Sequence, residues 1–255
     1  LTYGVTNIEL TSAYASIANG GTYQKPVLYT KVVDHNGNIL LSNTQKGKRV
    51  MKESTAFLLT DAMKDVITKG TGKSAKLSSS MAVAGKSGTT SNSYDYWFSG
   101  YTPYHTASVW MGYDKNTNFA SDNTHKKIWA KVMNEIIKTK QEQTTDFKKP
   151  ADIVKAKVCK ESGKLAIKGV CDHDPRGSRV ITEYFEKGTV PTQTCDIHVA
   201  VEVCKTSDKL ATKNCPANKK QRKIYIVRKK GSHGKTADSP YMLPKKYQSV
   251  FCKKH

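Results

Sequence analysis

Before residue 140 the chain alternates between helical and β-type spacing of its apolar positions. From 7 to 19, Ile8, Leu10, Tyr14, Ala15, Ile17 and Ala18 fall roughly on one helical stripe, and Gly20-Gly21 supplies the glycine that ends it. The run at 27–33 predicts a strand. Asn36-Gly37 before Ile39-Leu40-Leu41 predicts a hairpin whose two central residues both take positive φ. A second helix is expected from about Ser54, as its N-cap, through Phe57, Leu58, Met63, Val66 and Ile67, with Gly70-Thr71-Gly72 breaking it. Two β-rich runs at 96–102 and 106–113 flank Pro103-Tyr104-His105. A last helix from about Thr124 places Ile128, Trp129, Val132, Met133, Ile136 and Ile137 on one face. The polar stretch from Thr139 to Pro150 lacks any period and reads as a linker. The expected division is a domain at 1–140, a linker at 141–151 and an accessory module at 152–255.

The module contains an internal repeat. Val158-Cys159-Lys160-Glu161-Ser162-Gly163-Lys164-Leu165-Ala166 recurs as Val203-Cys204-Lys205-Thr206-Ser207-Asp208-Lys209-Leu210-Ala211, and each copy closes on another cysteine, Cys171 or Cys215. All six cysteines, with Cys195 and Cys252, lie in this part of the chain. An even number confined to one polar segment predicts small β units tied by disulfides outside the cytoplasm. The repeat suggests bridges Cys159–Cys171 and Cys204–Cys215, and elimination leaves Cys195–Cys252. A competing reading exists, because Cys195-x-x-His198 and Cys252-x-x-His255 together offer four ligands for one tetrahedral zinc.

Composition narrows the partners. The 255 residues carry 42 Lys+Arg against 21 Asp+Glu, a formal charge of +21, with 37% apolar residues. Such a field favours anionic partners. The basic run of Lys219, Lys220, Arg222, Lys223, Arg228, Lys229 and Lys230 reads as a solvated face or as a contact for an anionic wall polymer. Nucleic acid is not expected, since neither a zinc-finger spacing nor an aromatic RNA-binding stripe is present. No run reaches the length of a membrane span, no secretory signal is seen, and a start at Leu1 rather than Met suggests a fragment.

Lys86-Ser87-Gly88-Thr89-Thr90 is the sharpest chemical signal. Asp95-Tyr96-Trp97-Phe98-Ser99-Gly100-Tyr101-Thr102-Pro103 follows it, then Ser108-Val109-Trp110-Met111-Gly112-Tyr113-Asp114. With these motifs residues 1 to about 138 resemble the transpeptidase domain of bifunctional (class A) penicillin-binding proteins. Residues 4–6, 13–21 and 69–72 add to the likeness. The repeat module resembles, more weakly, C-terminal extensions of some Gram-positive members. The resemblance implies an α/β (α+β) serine-acylase fold like that of DD-peptidases and β-lactamases, an antiparallel sheet flanked by helices, present only in part. It implies a serine that acylates on D-Ala-D-Ala stem peptides or β-lactams, with Lys86 as a cation helping to move its proton. Thr89 would lend its backbone N–H to the oxyanion hole. Ser87 and Thr89 hydroxyls would hold the terminal carboxylate, Thr90 would complete the binding strand, and Gly88 would allow close approach. No cofactor is implied. The parent would sit on the extracytoplasmic face of the bacterial membrane, in the cell wall, through an N-terminal anchor beside a glycosyltransferase domain.

The family places Ser-x-x-Lys and Ser-x-Asn ahead of this strand, and nothing in 1–85 spells either. Ser121-Asp122-Asn123 comes after the strand and reads as a helix-capping loop. Ser232-His233-Gly234-Lys235 sits in a polar tail and reads as a chance match. The nucleophile is therefore expected outside this chain, which alone would be inactive. Two rivals remain. A serine β-lactamase would share Lys-Ser-Gly but not the Thr-Thr and aromatic-strand context, and a non-enzymatic wall-binding protein would need only the basic end.

Overall fold

The computed structural model describes residues 4–228 and 236–254, so Lys229, Lys230, the 232–235 match and His255 lie outside the described residues. The chain divides into two compact units, one up to Asp152 and one from Ile153.

The first unit opens with α1 (Asn7–Ala18), started by a capping box in which Thr6 accepts from the Glu9 N–H and Glu9 accepts from the Thr6 N–H. Gly20 and Gly21 end the helix with φ of 60° and 87°. Short strands follow: β1 (Thr22–Tyr23), β2 (Lys31–Val33), β3 (Ile39–Ser42) and β4 (Lys48–Arg49), paired as β1–β4 and β2–β3. The first expected strand shortens to its last three residues, and Leu28 is 95% exposed. The β2–β3 turn also differs from the expected one. Only Gly37 takes positive φ (85°), because Asp34 Oδ1 accepts from the N–H groups of Asn36 and Asn38 at 2.9 and 2.8 Å and closes the loop itself.

Helix α2 (Glu53–Thr68) begins two residues earlier than expected: Lys52 is the N-cap and Ser54 is buried inside the first turn. Strands β5 (Ala84–Thr89), β6 (Asp95–Tyr101) and β7 (Thr106–Gly112) form an antiparallel sheet in that order, before α3 (Thr124–Lys140). One core joins Phe98, Trp129, Met133 and Ile137 with Ile67, Leu77 and Val83. Another joins Met63, Ala84 and Tyr101 with Tyr14 and Ile17 of α1 and Phe147. Period-2 alternation along β6 sends Phe98 and Tyr101 into these separate clusters, helped by the Gly100 position between them. The expected linker is not a free spacer. Lys64 pairs with Asp146 at 2.8 Å, Tyr104 donates to the Gln143 carbonyl, and Phe147 packs edge-on against Tyr101.

The second unit contains β8 (Ile153–Cys159) paired with β9 (Val180–Glu186), then β10 (His198–Cys204) between β11 (Lys209–Leu210) and β12 (Lys220–Ile226), and a short α4 (Lys246–Ser249). The sequence repeat is a structural repeat. In each copy a strand ends on a cysteine whose carbonyl accepts from a left-handed residue four positions on, Gly163 (φ 69°) or Asp208 (φ 49°). Each turn then brings a leucine back to pair with Val158 or Val203. The six sulfurs are buried free thiols, and no disulfide ties the unit among the described residues.

Candidate active site

Strand β5 carries Lys86, Ser87, Gly88 and Thr89, and among the described residues it is an edge strand that pairs only with β6. The register sets Lys86 opposite Ser99, Ser87 opposite Phe98, Gly88 opposite Trp97 and Thr89 opposite Tyr96. At the turn the Thr90 N–H donates to the Asp95 carbonyl at 3.1 Å. An antiparallel ladder alternates inward and outward backbone groups, so the N–H and C=O of Thr89 and Ser87 turn away from β6 to the free edge. The Ser87 carbonyl on that edge accepts from the Lys86 ammonium at 2.8 Å.

The five motif residues line one cleft of about 810 Å³, together with Leu10 and Tyr14 of α1 and the indoles of Trp97 and Trp110. Lys86 and Thr89 are exposed to it, and Ser87 is half-buried. Two partners were not legible as site residues. The Thr71 hydroxyl shares a 2.8 Å hydrogen bond with the Ser87 hydroxyl, fixing its direction. The signal for Thr71 was present in the Lys69-Gly70-Thr71-Gly72 motif, which reads first as a helix breaker. Asp95 accepts from the Thr90 hydroxyl at 2.9 Å and from the Trp110 indole at 2.8 Å. The Thr90 side chain therefore closes the β5–β6 turn, where Asn92 and Ser93 both take positive φ.

Behind the strand, Ser121-Asp122-Asn123 leads into α3, with Asn123 as its N-cap and the Asp122 carboxylate accepting from the Thr124 N–H. The Lys126 ammonium donates to Asn123 Oδ1 at 2.7 Å. Burial, and then the positive charge of Lys86, push the Lys126 amine below its ordinary range. Burial likewise raises the Tyr14 phenol at the cleft wall. The site thus offers the exposed Lys86 ammonium, the Ser87 and Thr89 hydroxyls and outward backbone donors on a strand edge, an arrangement suited to an anionic or carbonyl-bearing extended ligand.

In the second unit the structure brings Cys159, Cys171 and Cys195 together with His198, and separately Cys204, Cys215 and Cys252. It does not bring Cys195 to Cys252. Cys195 and Cys252 belong to different clusters, so neither the third expected bridge nor one zinc shared by these two cysteines matches this placement.

Residues 2–138 match the family profile described as penicillin binding protein transpeptidase domain, and residues 149–200 match penicillin-binding protein 1A, C-terminal domain. The chain belongs to the penicillin-binding protein transpeptidase family. Penicillin-binding protein 1A of Clostridium botulinum (strain Langeland) is 35% identical over 247 residues, 94% of this chain and 29% of that protein. Penicillin-binding protein 1A of Clostridium novyi (strain NT) is 33% identical over 248 residues, 96% of this chain and 28% of its own length. The chain therefore spans under a third of these curated relatives. The crystal structure of penicillin-binding protein 1A from Haemophilus influenzae shares the fold, with a TM-score of 0.59 at 23% identity, covering 75% of this chain and 33% of that one. Among the described residues no helix is long and apolar enough to cross a membrane.

Proposed function

We propose that the first unit supplies the third active-site strand of a serine-type D-Ala-D-Ala transpeptidase that cross-links peptidoglycan stem peptides and is acylated by β-lactams. The whole protein would act outside the cytoplasmic membrane in wall synthesis, next to a glycosyltransferase activity in the class A manner. The observation that carries this reading is the free edge of β5, with Lys86, Ser87 and Thr89 facing one cleft. An extended D-Ala-D-Ala segment can add to that edge as a strand, its carbonyls and N–H groups meeting the outward groups of Ser87 and Thr89.

On this reading a serine from a Ser-x-x-Lys motif outside this chain attacks the scissile carbonyl. Lys86 lowers the cost of negative charge beside that serine and helps pass its proton to the leaving D-Ala amine. The Thr89 N–H donates to the oxyanion as the carbonyl oxygen gains charge, where one such donor is worth about 3–4 kcal/mol. The Ser87 hydroxyl, aimed by Thr71, and the Thr89 hydroxyl bind the terminal carboxylate. The amine of a second stem peptide then takes the acyl group. Labelled penicillin and the complete protein test the assignment: a stable covalent adduct supports a transpeptidase, and rapid hydrolytic release would point to a β-lactamase instead.

A further inference from the structure

The second unit holds two buried thiol clusters that the transpeptidase chemistry does not use. In the first, the sulfurs of Cys159, Cys171 and Cys195 and an imidazole nitrogen of His198 all lie within 4.8 Å of one another. His198 Nδ1 is 3.4 Å from the Cys159 sulfur and 3.3 Å from that of Cys195. Zinc with bonds of about 2.3 Å to sulfur and about 2.0 Å to nitrogen needs tetrahedral edges of roughly 3.8 Å between sulfurs and roughly 3.5 Å from sulfur to nitrogen. The two nitrogen–sulfur distances match the second figure, and the 4.8 Å bound on the rest leaves the sulfurs within easy reach of one ion. The ring is also presented correctly. His198 Nε2 is 2.7 Å from Asp174 Oδ2, and an ionised carboxylate can only accept, so the proton sits on Nε2 and the Nδ1 lone pair faces the sulfurs. Asp174 is fixed in turn by Arg176, whose Nε and Nη2 donate to it at 2.9 and 2.7 Å. A carboxylate behind a histidine in this way is the outer support that metal-ligating imidazoles use.

The second copy builds its cluster by the same route. The N–H of Cys195 donates to the Leu165 carbonyl at 2.8 Å, and the N–H of Cys252 donates to the Leu210 carbonyl at 2.8 Å. Leu165 and Leu210 are equivalent in the repeat, and each forms a parallel bridge to the residue before that third cysteine, Thr194 or Phe251. The second cysteine of each copy accepts a backbone N–H at 3.3 Å, from Ile167 to Cys171 and from Thr212 to Cys215. Such donors stabilise a thiolate. The repeat thus reaches beyond the stretch that spells alike, and each copy owns three cysteines. Three sulfurs per cluster cannot all be paired as disulfides, whereas three thiolates are a common zinc ligand set. In sequence His255 stands to Cys252 as His198 stands to Cys195, although it lies outside the described residues.

The geometry points to a tandem zinc module, with one Zn²⁺ held by Cys159, Cys171, Cys195 and His198 and a second held by Cys204, Cys215 and Cys252. Binding at each site releases three thiol protons to solvent and leaves the oxidation state of every sulfur unchanged. The first site has four protein ligands and no open position, so its role is structural. It takes the place of a larger apolar core, and its binding energy becomes folding energy. This inference does not depend on the transpeptidase reading.

The test is metal content of the 255-residue chain, purified under reducing conditions from zinc-supplemented cells, with Co²⁺ exchange as a second readout. Two equivalents of zinc per chain are expected, together with the sulfur-to-cobalt charge-transfer and tetrahedral ligand-field bands. Cys159→Ser should lose one equivalent and Cys252→Ser the other. Asp174→Asn should keep two equivalents at saturation but weaken one site by about 10- to 100-fold in chelator competition. This last variant keeps the test informative if the serine variants fail to fold. A metal-free chain with stoichiometric disulfides would overturn the proposal. So would a single zinc lost equally in Cys195→Ser and Cys252→Ser, which is the signature of one shared site.

Discussion

Gly85 and Gly100 face each other across β5 and β6 with no room for a β-carbon on either. A Cβ on Gly85 would stand 2.8 Å from both the Phe98 ring and the Ser99 carbonyl, and one on Gly100 would stand 2.9 Å from the Trp129 indole. The pair lets α3 press Trp129 onto the sheet one residue before the ammonium of Lys86. Packing behind the strand and chemistry on its edge are thus linked through two glycines.

Gly100→Ala should therefore cost the first unit about 1–3 kcal/mol, since its two nearest neighbours are buried aromatic rings that cannot easily give. A urea unfolding midpoint, read by tryptophan fluorescence, checks this. An unchanged midpoint would mean the strand spacing is looser than described.

Tyr101 and Thr60 share a buried hydrogen bond of 2.8 Å between hydroxyls, and burial raises the Tyr101 phenol well above its ordinary range. Thr60 already donates to the Ala56 carbonyl, so the phenol is the donor in this pair. Tyr101→Phe should cost about 1 kcal/mol by removing that donor. Thr60→Val with Tyr101→Phe should cost less than the sum of the single changes, measured by a double-mutant cycle.

His125 is buried against Tyr96, and burial followed by the charge of Lys126 lowers its pKa. The unfolded chain, with histidine near the usual value of about 6.5, then binds the proton more readily than the fold does. The first unit should hold its full stability above about pH 6.5 and lose part of it as pH falls below that value. His125→Gln should flatten this part of a pH–stability curve, and a slope identical to wild type would show that His125 does not contribute.

Much of the first unit was legible because its signals are local. The stripe from Ile8 to Ala18, the two aromatic runs around Pro103 and the face from Ile128 to Ile137 each report a single element, and each element formed. Ile8, Ile128 and Val132 are nevertheless exposed, and the packed face of the last helix is Trp129, Met133 and Ile137. Signals that depend on partners distant in sequence were harder to read. Asn36-Gly37 looked like a two-residue turn because Asp34, which closes it, lies outside that pair. Ser54 looked like a cap, yet its hydroxyl is buried and Lys52 takes the terminus. The motif residues on β5 could be named from the sequence, but not Thr71, which reaches Ser87 through space. The cysteine partners were the hardest. The third cysteine of each copy returns over a stretch of different length, so elimination pairs Cys195 with Cys252 and their common Cys-x-x-His spelling suggests one shared zinc, when the two hold equivalent positions in two copies.

The basic second unit should be retained by anionic wall polymer in a salt-dependent manner, because exposed charges are screened within about 8 Å at physiological ionic strength. Lys219, Lys220, Arg222 and Lys223 lie on or beside β12 and motivate this proposal. Retention on teichoic-acid-bearing walls should fall as salt rises and should be weaker on walls stripped of that polymer. Equal retention on both would refute it.

The second-order acylation rate with a fluorescent β-lactam bears most directly on the role given to β5. A protein containing this chain together with an upstream Ser-x-x-Lys motif should be labelled stoichiometrically, while the 255-residue chain alone should not, for want of an attacking oxygen. In the longer protein Lys86→Ala should slow acylation by about 100-fold or more, the range for loss of a positioned proton-transfer group, whereas Ser87→Thr should stay within a few-fold of wild type. Stoichiometric labelling of the isolated chain, or a Lys86→Ala rate near wild type, would contradict the assignment of this strand to the active site.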